Sequence, residues 1–123
     1  MLKEVRNVKQ ISGESKRRWF TDGDMDLTVW LNDRQEIVGF QLCYDKSAAE
    51  RALTWKQASG FLHNRVDDGE GRPGRHKGTP ILIPDGLFKV EKIAGQFLSK
   101  SRHLEPELST FVYHRLLEYP SPR

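Results

Sequence analysis

Apolar and polar residues alternate along most of the first half of the chain, which is the pattern of strands buried on one face. The clearest run extends from Ile37 to Tyr44. Turn signals such as Asp22-Gly23 separate the runs. About five strands are expected, at Arg17–Phe20, Leu27–Leu31, Ile37–Tyr44, Ala52–Lys56 and Phe61–Val66. The short connections between them predict an antiparallel meander.

The segments that flank these runs have a less regular pattern. Apolar residues are spaced by three between Leu2 and Ile11, so this segment is expected to be extended or to form one helical turn. Thr79–Pro84 contains two prolines and is expected to form at best an edge strand. Glycines and charged residues between Asp67 and Gly78 predict a long loop, and long loops in small domains often carry function.

The last third of the chain has the periodicity of amphipathic helices. Apolar residues recur at helical spacing from Leu87 to Leu98 and from Leu108 to Tyr119. Pro106 suits the first turn of the second helix, where its missing N–H is not needed. Strands followed by helices predict an α+β fold, in which two C-terminal helices pack on one face of the sheet. The length predicts a single domain over residues 1–123.

Strand alternation divides the expected sheet into two faces. The apolar face is expected to lie under the helices and to contain Leu27, Val29, Leu31, Val38, Phe40, Leu42, Tyr44, Leu53, Trp55, Leu62 and Val66. The opposite face is expected to stay open and to contain Thr28, Trp30, Gln41, Cys43, Thr54, Lys56, Phe61, His63 and Arg65. Aromatic, cationic and amide groups on one surface can stack on a planar ligand and hydrogen-bond its edge. The expected ligand-binding residues are therefore Trp30, Gln41, Lys56, Phe61, His63 and Arg65, bordered by the 67–78 loop.

This surface favours a non-catalytic binding or interaction domain. The structural alternative is that the N-terminal segment or the long loop covers Trp30 and Phe61. The run Lys16–Phe20 combines cations with aromatics and could contact phosphates. Its simpler interpretation places the aromatic rings inward and the arginines at the rim. Weak binding of single-stranded RNA is a further alternative for the function.

Five polar residues suggest a different function, that of a metal-assisted hydrolase. They are His63, Asp67, Asp68, Glu70 and His76. Imidazoles and carboxylates ligate zinc, manganese and iron, and a bound ion would generate a nucleophilic hydroxide while an acid acts as general base. Their spacing matches no established metal motif. Metal-assisted hydrolysis is therefore kept as the alternative function, and no cofactor is expected.

Other chemistry receives little support from the residues. Cys43 lies in the middle of a predicted strand with no neighbour that would lower its pKa. Alternating aspartates in Asp22–Asp26 resemble half of a calcium loop, but Leu27 stands where the loop needs glycine. The glycine spacing in Gly69–Gly74 is interrupted by a proline and has no strand-to-helix context.

Composition and charge indicate where the protein is expected to be located and which classes of partner are expected. The net charge is +3, and no half of the chain carries the excess, so charge alone indicates no nucleic-acid face. The chain has 1 cysteine, no apolar stretch of about 20 residues and no leader-like start. A cytoplasmic location is therefore expected. The expected partner is a protein or a small ligand, with nucleic acid as an alternative and no membrane. The protein is expected to be a monomer or a weak homodimer.

Overall fold

The computed structural model describes residues 1–46, 50–67, 81–84 and 89–119. In these ranges a 7-stranded antiparallel sheet follows the order of the chain. The strands are β1 (Lys3–Val5), β2 (Lys16–Thr21), β3 (Asp26–Leu31), β4 (Ile37–Tyr44), β5 (Arg51–Lys56), β6 (Gly60–Asp67) and β7 (Ile81–Pro84). Two helices follow, α1 (Val90–Lys100) and α2 (Pro106–Leu117). None of the helices in these ranges has the length and apolar character needed to cross a membrane.

The predicted α+β meander with two C-terminal helices is confirmed. The sheet has 7 strands rather than about five, because the two irregular segments pair at its edges. β1 spans 3 residues and pairs with the end of β2, and β7 spans 4 residues and pairs with β6. Strands this short have too few residues for a clear alternation. The prediction of a single domain over the full chain stays a prediction.

One face of the sheet is covered by the helices, because both layers bring apolar side chains to it. β2 to β5 contribute the buried residues Phe20, Leu27, Val29, Leu31, Phe40, Leu42, Tyr44 and Leu53. The helices contribute Ile93, Ala94, Phe97, Leu108, Val112 and Leu116. Burying one such large side chain stabilises the fold by about 1.5–3 kcal/mol. We call this the helix-covered face, and the opposite side the open face.

A β-bulge between β3 and β4 moves one predicted core residue to the open face. The register shifts between Trp30, which lies opposite Gly39, and Leu31, which lies opposite Ile37. Ile37 therefore packs against the core, whereas Val38 lines a cleft on the open face. The prediction that Val38 belongs to the core was wrong, because the extra residue of a bulge breaks the alternation.

β6 has the opposite phase to the one predicted. Phe61 lies opposite Trp55, and His63 lies opposite Leu53. Residues directly opposite each other on neighbouring strands share a face of the sheet. Phe61, His63 and Arg65 therefore belong to the helix-covered side, and the face predicted for them was wrong.

Leu62 is correspondingly on the open face, where 53% of its surface is exposed, and its predicted core position was also wrong. The side chain of Val66 lies outside the described part of the chain. The observed phase of β6 places Phe61 on the helix-covered side, and the predicted phase would place Leu62 there. Because both residues are apolar, periodicity could not distinguish the two phases. Tyr119, which follows α2, packs against both Phe61 and His63 and stabilises the observed phase.

Ion pairs join the edge of the sheet to the helices. Arg18 on β2 contacts Glu4 at 2.7 Å and Glu105, the residue before α2, at 2.6 Å. Hydrogen bonds from Arg18 hold the pKa values of both glutamates below their usual range. Lys100 at the end of α1 contacts Asp22 in the β2–β3 turn at 2.5 Å. Arg18 and Lys100 therefore both have carboxylate partners.

Candidate functional site

A cleft of about 600 Å³ lies on the open face of the sheet. We call it the Trp30 cleft. It is formed by β2 to β5, the segment before β2 and the turn after β5. Its lining consists of Gly13, Glu14, Ser15, Arg17, Trp30, Val38, Gly39, Lys56, Gln57 and Ala58.

Gly39 gives the cleft a floor on which the indole of Trp30 rests. The two residues lie directly opposite each other on β4 and β3. A Cβ atom at position 39 would lie 3.1 Å from Cε3 of Trp30 and 2.9 Å from the backbone oxygen of Trp55. Such approaches leave no room for a side chain. Because Gly39 has no side chain, the indole of Trp30 can lie directly against the sheet.

Two cations flank the indole of Trp30. The ammonium of Lys56 lies 5.5 Å from the centre of the ring, which is a cation–π contact. Arg17 lies directly opposite Trp30, on β2, the strand that borders β3 on the side away from β4. No carboxylate in the described ranges forms an ion pair with either cation. The cleft therefore combines an aromatic surface with two positive charges that remain available to a ligand.

Accessibility varies over the rest of the open face, where Leu62 is 53% exposed but its neighbours are buried. Ala52, Thr54 and Asn64 on this side are 0%, 8% and 3% exposed. The amide of Gln41 donates a hydrogen bond of 2.9 Å to the hydroxyl of Thr54. Accessible aromatic surface on this face is offered by the Trp30 cleft and by Trp19, which is 38% exposed.

The predicted ligand-binding residues are divided between the two faces. Trp30, Gln41 and Lys56 lie on the open face, and Trp30 and Lys56 meet in the cleft. Their role in binding a ligand stays a prediction. The other predicted members, Phe61, His63 and Arg65, face the helix side, so the six residues do not form one surface.

His63 takes part in packing between the sheet and the C-terminal segment. It is 4% exposed, and its Nε2 atom is hydrogen-bonded to the hydroxyl of Tyr44. The two rings are stacked with centres 5.9 Å apart, and Tyr119 meets the imidazole edge-on at 6.2 Å. The imidazole is therefore held by aromatic neighbours on the helix-covered face.

The residues of the metal hypothesis can be located only in part. Asp68, Glu70 and His76, with the rest of the 68–78 segment and the side chain of Asp67, lie outside the described residues. Among the residues that are described, no three His, Cys, Asp or Glu side chains form a group that could hold a metal ion. Metal-assisted hydrolysis stays a prediction.

Sequence reasoning did not assign Arg17, Trp19 and Gly39 to the site. The simpler interpretation of the Lys16–Phe20 run placed its aromatics inward, but only Phe20 is in the core. Two signals were present in the sequence. Arg17 and Trp19 are two residues apart on a strand and so share a face, and a glycine interrupts the strongest strand of the chain.

Cys43 lies on the open face but is expected to be chemically inert. Burial, together with the charges of Glu50 and Asp26, raises the pKa of its thiol to about 12. Only the thiolate is a nucleophile, so little of Cys43 is reactive near neutral pH. At about pH 8 we expect iodoacetamide to modify the folded protein roughly a hundredfold or more slowly than the unfolded chain. Mass spectrometry measures both rates, and equal rates would contradict this expectation.

The chain matches no protein-family model, no curated protein and no solved structure. Function is therefore inferred from the cleft and its chemistry.

Proposed function

We propose that this protein is a non-catalytic binding module whose ligand occupies the Trp30 cleft. The observation that carries the proposal is an indole supported by Gly39 and flanked by Lys56 and Arg17, two cations without carboxylate partners in the described ranges. A planar anionic ligand fits this arrangement, because its ring can stack on the indole while the cations pair with its charge. The cytoplasmic location expected from the sequence is part of the proposal.

The cleft is suited to a ligand rather than to stabilising the fold. Trp30 is not a member of the hydrophobic core, which is formed on the other face of the sheet. The cleft volume of about 600 Å³ lies within the roughly 300–1,000 Å³ that is usual for small-ligand sites. An aromatic side chain held outside the core, in a cleft of this size, therefore supports recognition as its role.

The chemistry of the lining supports binding without catalysis. Its described residues include a carboxylate, Glu14, but no histidine and no cysteine. General acid–base catalysis usually needs a side chain that can exchange a proton near neutral pH, and covalent catalysis needs an activated nucleophile. Arg17 and Lys56 are suited to holding an anion in place.

Chemical-shift mapping tests the location of the site. The protein is titrated with planar anions, namely aromatic carboxylates, aromatic sulfonates and nucleoside monophosphates. We expect the indole N–H of Trp30 and the amides of Gly39 and Gln57 to shift most. The indole N–H of Trp55, whose ring packs against Phe111 of α2, is the internal control and should not move. Shifts confined to the helices, or no shift at Trp30 with any member of the set, would contradict the proposal.

A further inference from the structure

We infer that the ligand is a single-stranded nucleic acid, which stacks a base on Trp30 and pairs its phosphates with the cations that line the cleft and its rim. This inference rests on the proposed function of the Trp30 cleft and names the ligand class. Two observations carry it: a second basic cleft that shares Arg17 with the first, and an exposed tryptophan, Trp19, on the same face as the half-buried Trp30.

The second cleft has a volume of about 770 Å³ and shares Arg17 with the Trp30 cleft. It adds Arg6 and Lys16, which come from the segment after β1 and the start of β2. In the described ranges, no carboxylate pairs with any of the cations Arg6, Lys16, Arg17 and Lys56. Arg17 belongs to both clefts, whereas Lys16 lies opposite Leu31 and therefore on the helix-covered side of β2, so these cations surround the start of β2 at the rim of the open face.

The acidic residues along this surface do not neutralise it. Glu4 lines the second cleft but is paired with Arg18. Glu14 lines the Trp30 cleft and is the remaining carboxylate in the described lining of the two. Although the net charge is only +3, Arg17 and Lys56 lie on the open face, and Arg6 and Lys16 line the second cleft at its rim. A polymer with regularly spaced negative charges complements several separate cations better than a single carboxylate does.

Trp19 provides a second surface for stacking. It lies opposite Thr28, two residues before Trp30 on β3, so the two tryptophans are diagonal neighbours on the open face. Diagonal cross-strand positions are roughly 7–8 Å apart. Proteins that read single strands on a sheet stack successive bases on aromatic side chains in this way. A duplex keeps its bases stacked inside, so the two indoles favour a single strand.

The position of Lys56 is compatible with this mode of binding. Its ammonium lies over the Trp30 ring in the structure, on a long and flexible side chain. A base that stacks on the indole takes this place, and the ammonium then pairs with a phosphate. An acidic peptide could satisfy the cations but does not carry a planar ring at every residue, as a nucleic acid does. Peptide binding is therefore an outcome of the test that would count against the inference.

Fluorescence anisotropy with labelled oligo(U) and oligo(dT) of about 12 nucleotides tests the inference. We expect both to bind, and the logarithm of the affinity to fall with the logarithm of the salt concentration with a slope of roughly −2 to −3, since the two clefts hold four cations with no carboxylate partner in the described ranges. Binding of either oligonucleotide supports the inference. The oligonucleotide with the higher affinity shows whether RNA or DNA is the preferred ligand.

Substitutions separate stacking from charge. Trp30→Ala is expected to weaken oligonucleotide binding by roughly tenfold or more, and Trp30→Phe, which keeps a ring and more of the packing, by less. Arg17→Gln is expected to weaken binding and to make the salt slope shallower by about 0.7. The matched control is Arg102→Gln, an exposed cation after α1, which should change neither. Circular dichroism verifies that each variant is folded.

Three results would overturn the inference, and they are distinguishable from failure of the proposed function. Polyaspartate binding as tightly as the oligonucleotides, or equal affinity of the native protein and the folded Trp30 variants, would show that charge alone is recognised. If neither oligonucleotide binds while planar anions still shift the indole N–H of Trp30, the nucleic-acid inference is contradicted and the proposed binding function is retained. If planar anions do not shift this N–H either, both the inference and the proposed function are contradicted.

Discussion

Replacing Phe97 by alanine is expected to lower the free energy of unfolding by about 4 kcal/mol. The side chain lies on α1, is 0% exposed and belongs to the core between the helices and the sheet. Its removal leaves a cavity where two layers meet. α1 has 11 residues, a length at which an isolated helix is marginal in water, so its stability depends on this contact. The loss is a large part of the roughly 5–15 kcal/mol that usually stabilises a domain.

The adjacent residue provides the control for this substitution. Leu98 is 44% exposed, so Leu98→Ala in the same helix turn is expected to cost less than about 1 kcal/mol. Urea unfolding followed by far-UV circular dichroism measures both variants. Phe97→Leu, which retains most of the volume, gives a folded comparison if the alanine variant does not fold. Equal losses for Phe97→Ala and Leu98→Ala would show that Phe97 does not dock α1 on the sheet.

Gly39→Ala is expected to destabilise the protein by about 2 kcal/mol, an unusually large effect for one added methyl group. The new Cβ atom would lie 2.9 Å from the backbone oxygen of Trp55 and 3.1 Å from the ring of Trp30. The backbone oxygen belongs to a strand in the middle of the sheet and cannot rotate away. The clash must therefore be removed by a distortion of the sheet or by a movement of the indole. A movement of the indole would change the Trp30 cleft.

Gly95→Ala is the matched control for this second expectation. Gly95 lies in α1, and a Cβ atom there has nothing within 4 Å. The same change should therefore stabilise the protein by about 0.5–1 kcal/mol, because alanine is the better helix former. Urea unfolding gives both values, and the indole N–H of Trp30 should shift in Gly39→Ala alone. Two variants of equal stability would refute the close approach at Gly39.

The central strands and both helices could be predicted because their patterns are local and long. β3 alternates over its 6 residues and β4 alternates from Gly39 to Tyr44, and each helix has an apolar stripe that matches one face. The bulge at Val38 and the edge strands were less accessible. A bulge changes the face of a residue without changing the composition of the strand, and β1 is too short to have a pattern.

The phase of β6 explains why the six residues predicted to share one face are divided between the two faces. The turn after β5 places Gly60 opposite Lys56, with Gly60 at a φ of 83°, so Phe61 falls opposite Trp55. A shift of one residue would reverse every side chain of the strand. Phe61-Leu62-His63 offers an apolar residue in either phase, so the sequence pattern could not exclude the other arrangement.

Periodicity along the chain was sufficient for the α+β class, the order of the elements and the placing of Trp30 opposite the core, since each depends on residues close together in sequence. It was insufficient for the side taken by His63 and for the placing of Arg17 and Lys56 on either side of Trp30. Those features depend on turn lengths, a bulge and contacts between distant segments, which exist only once the strands are paired and the helices are docked.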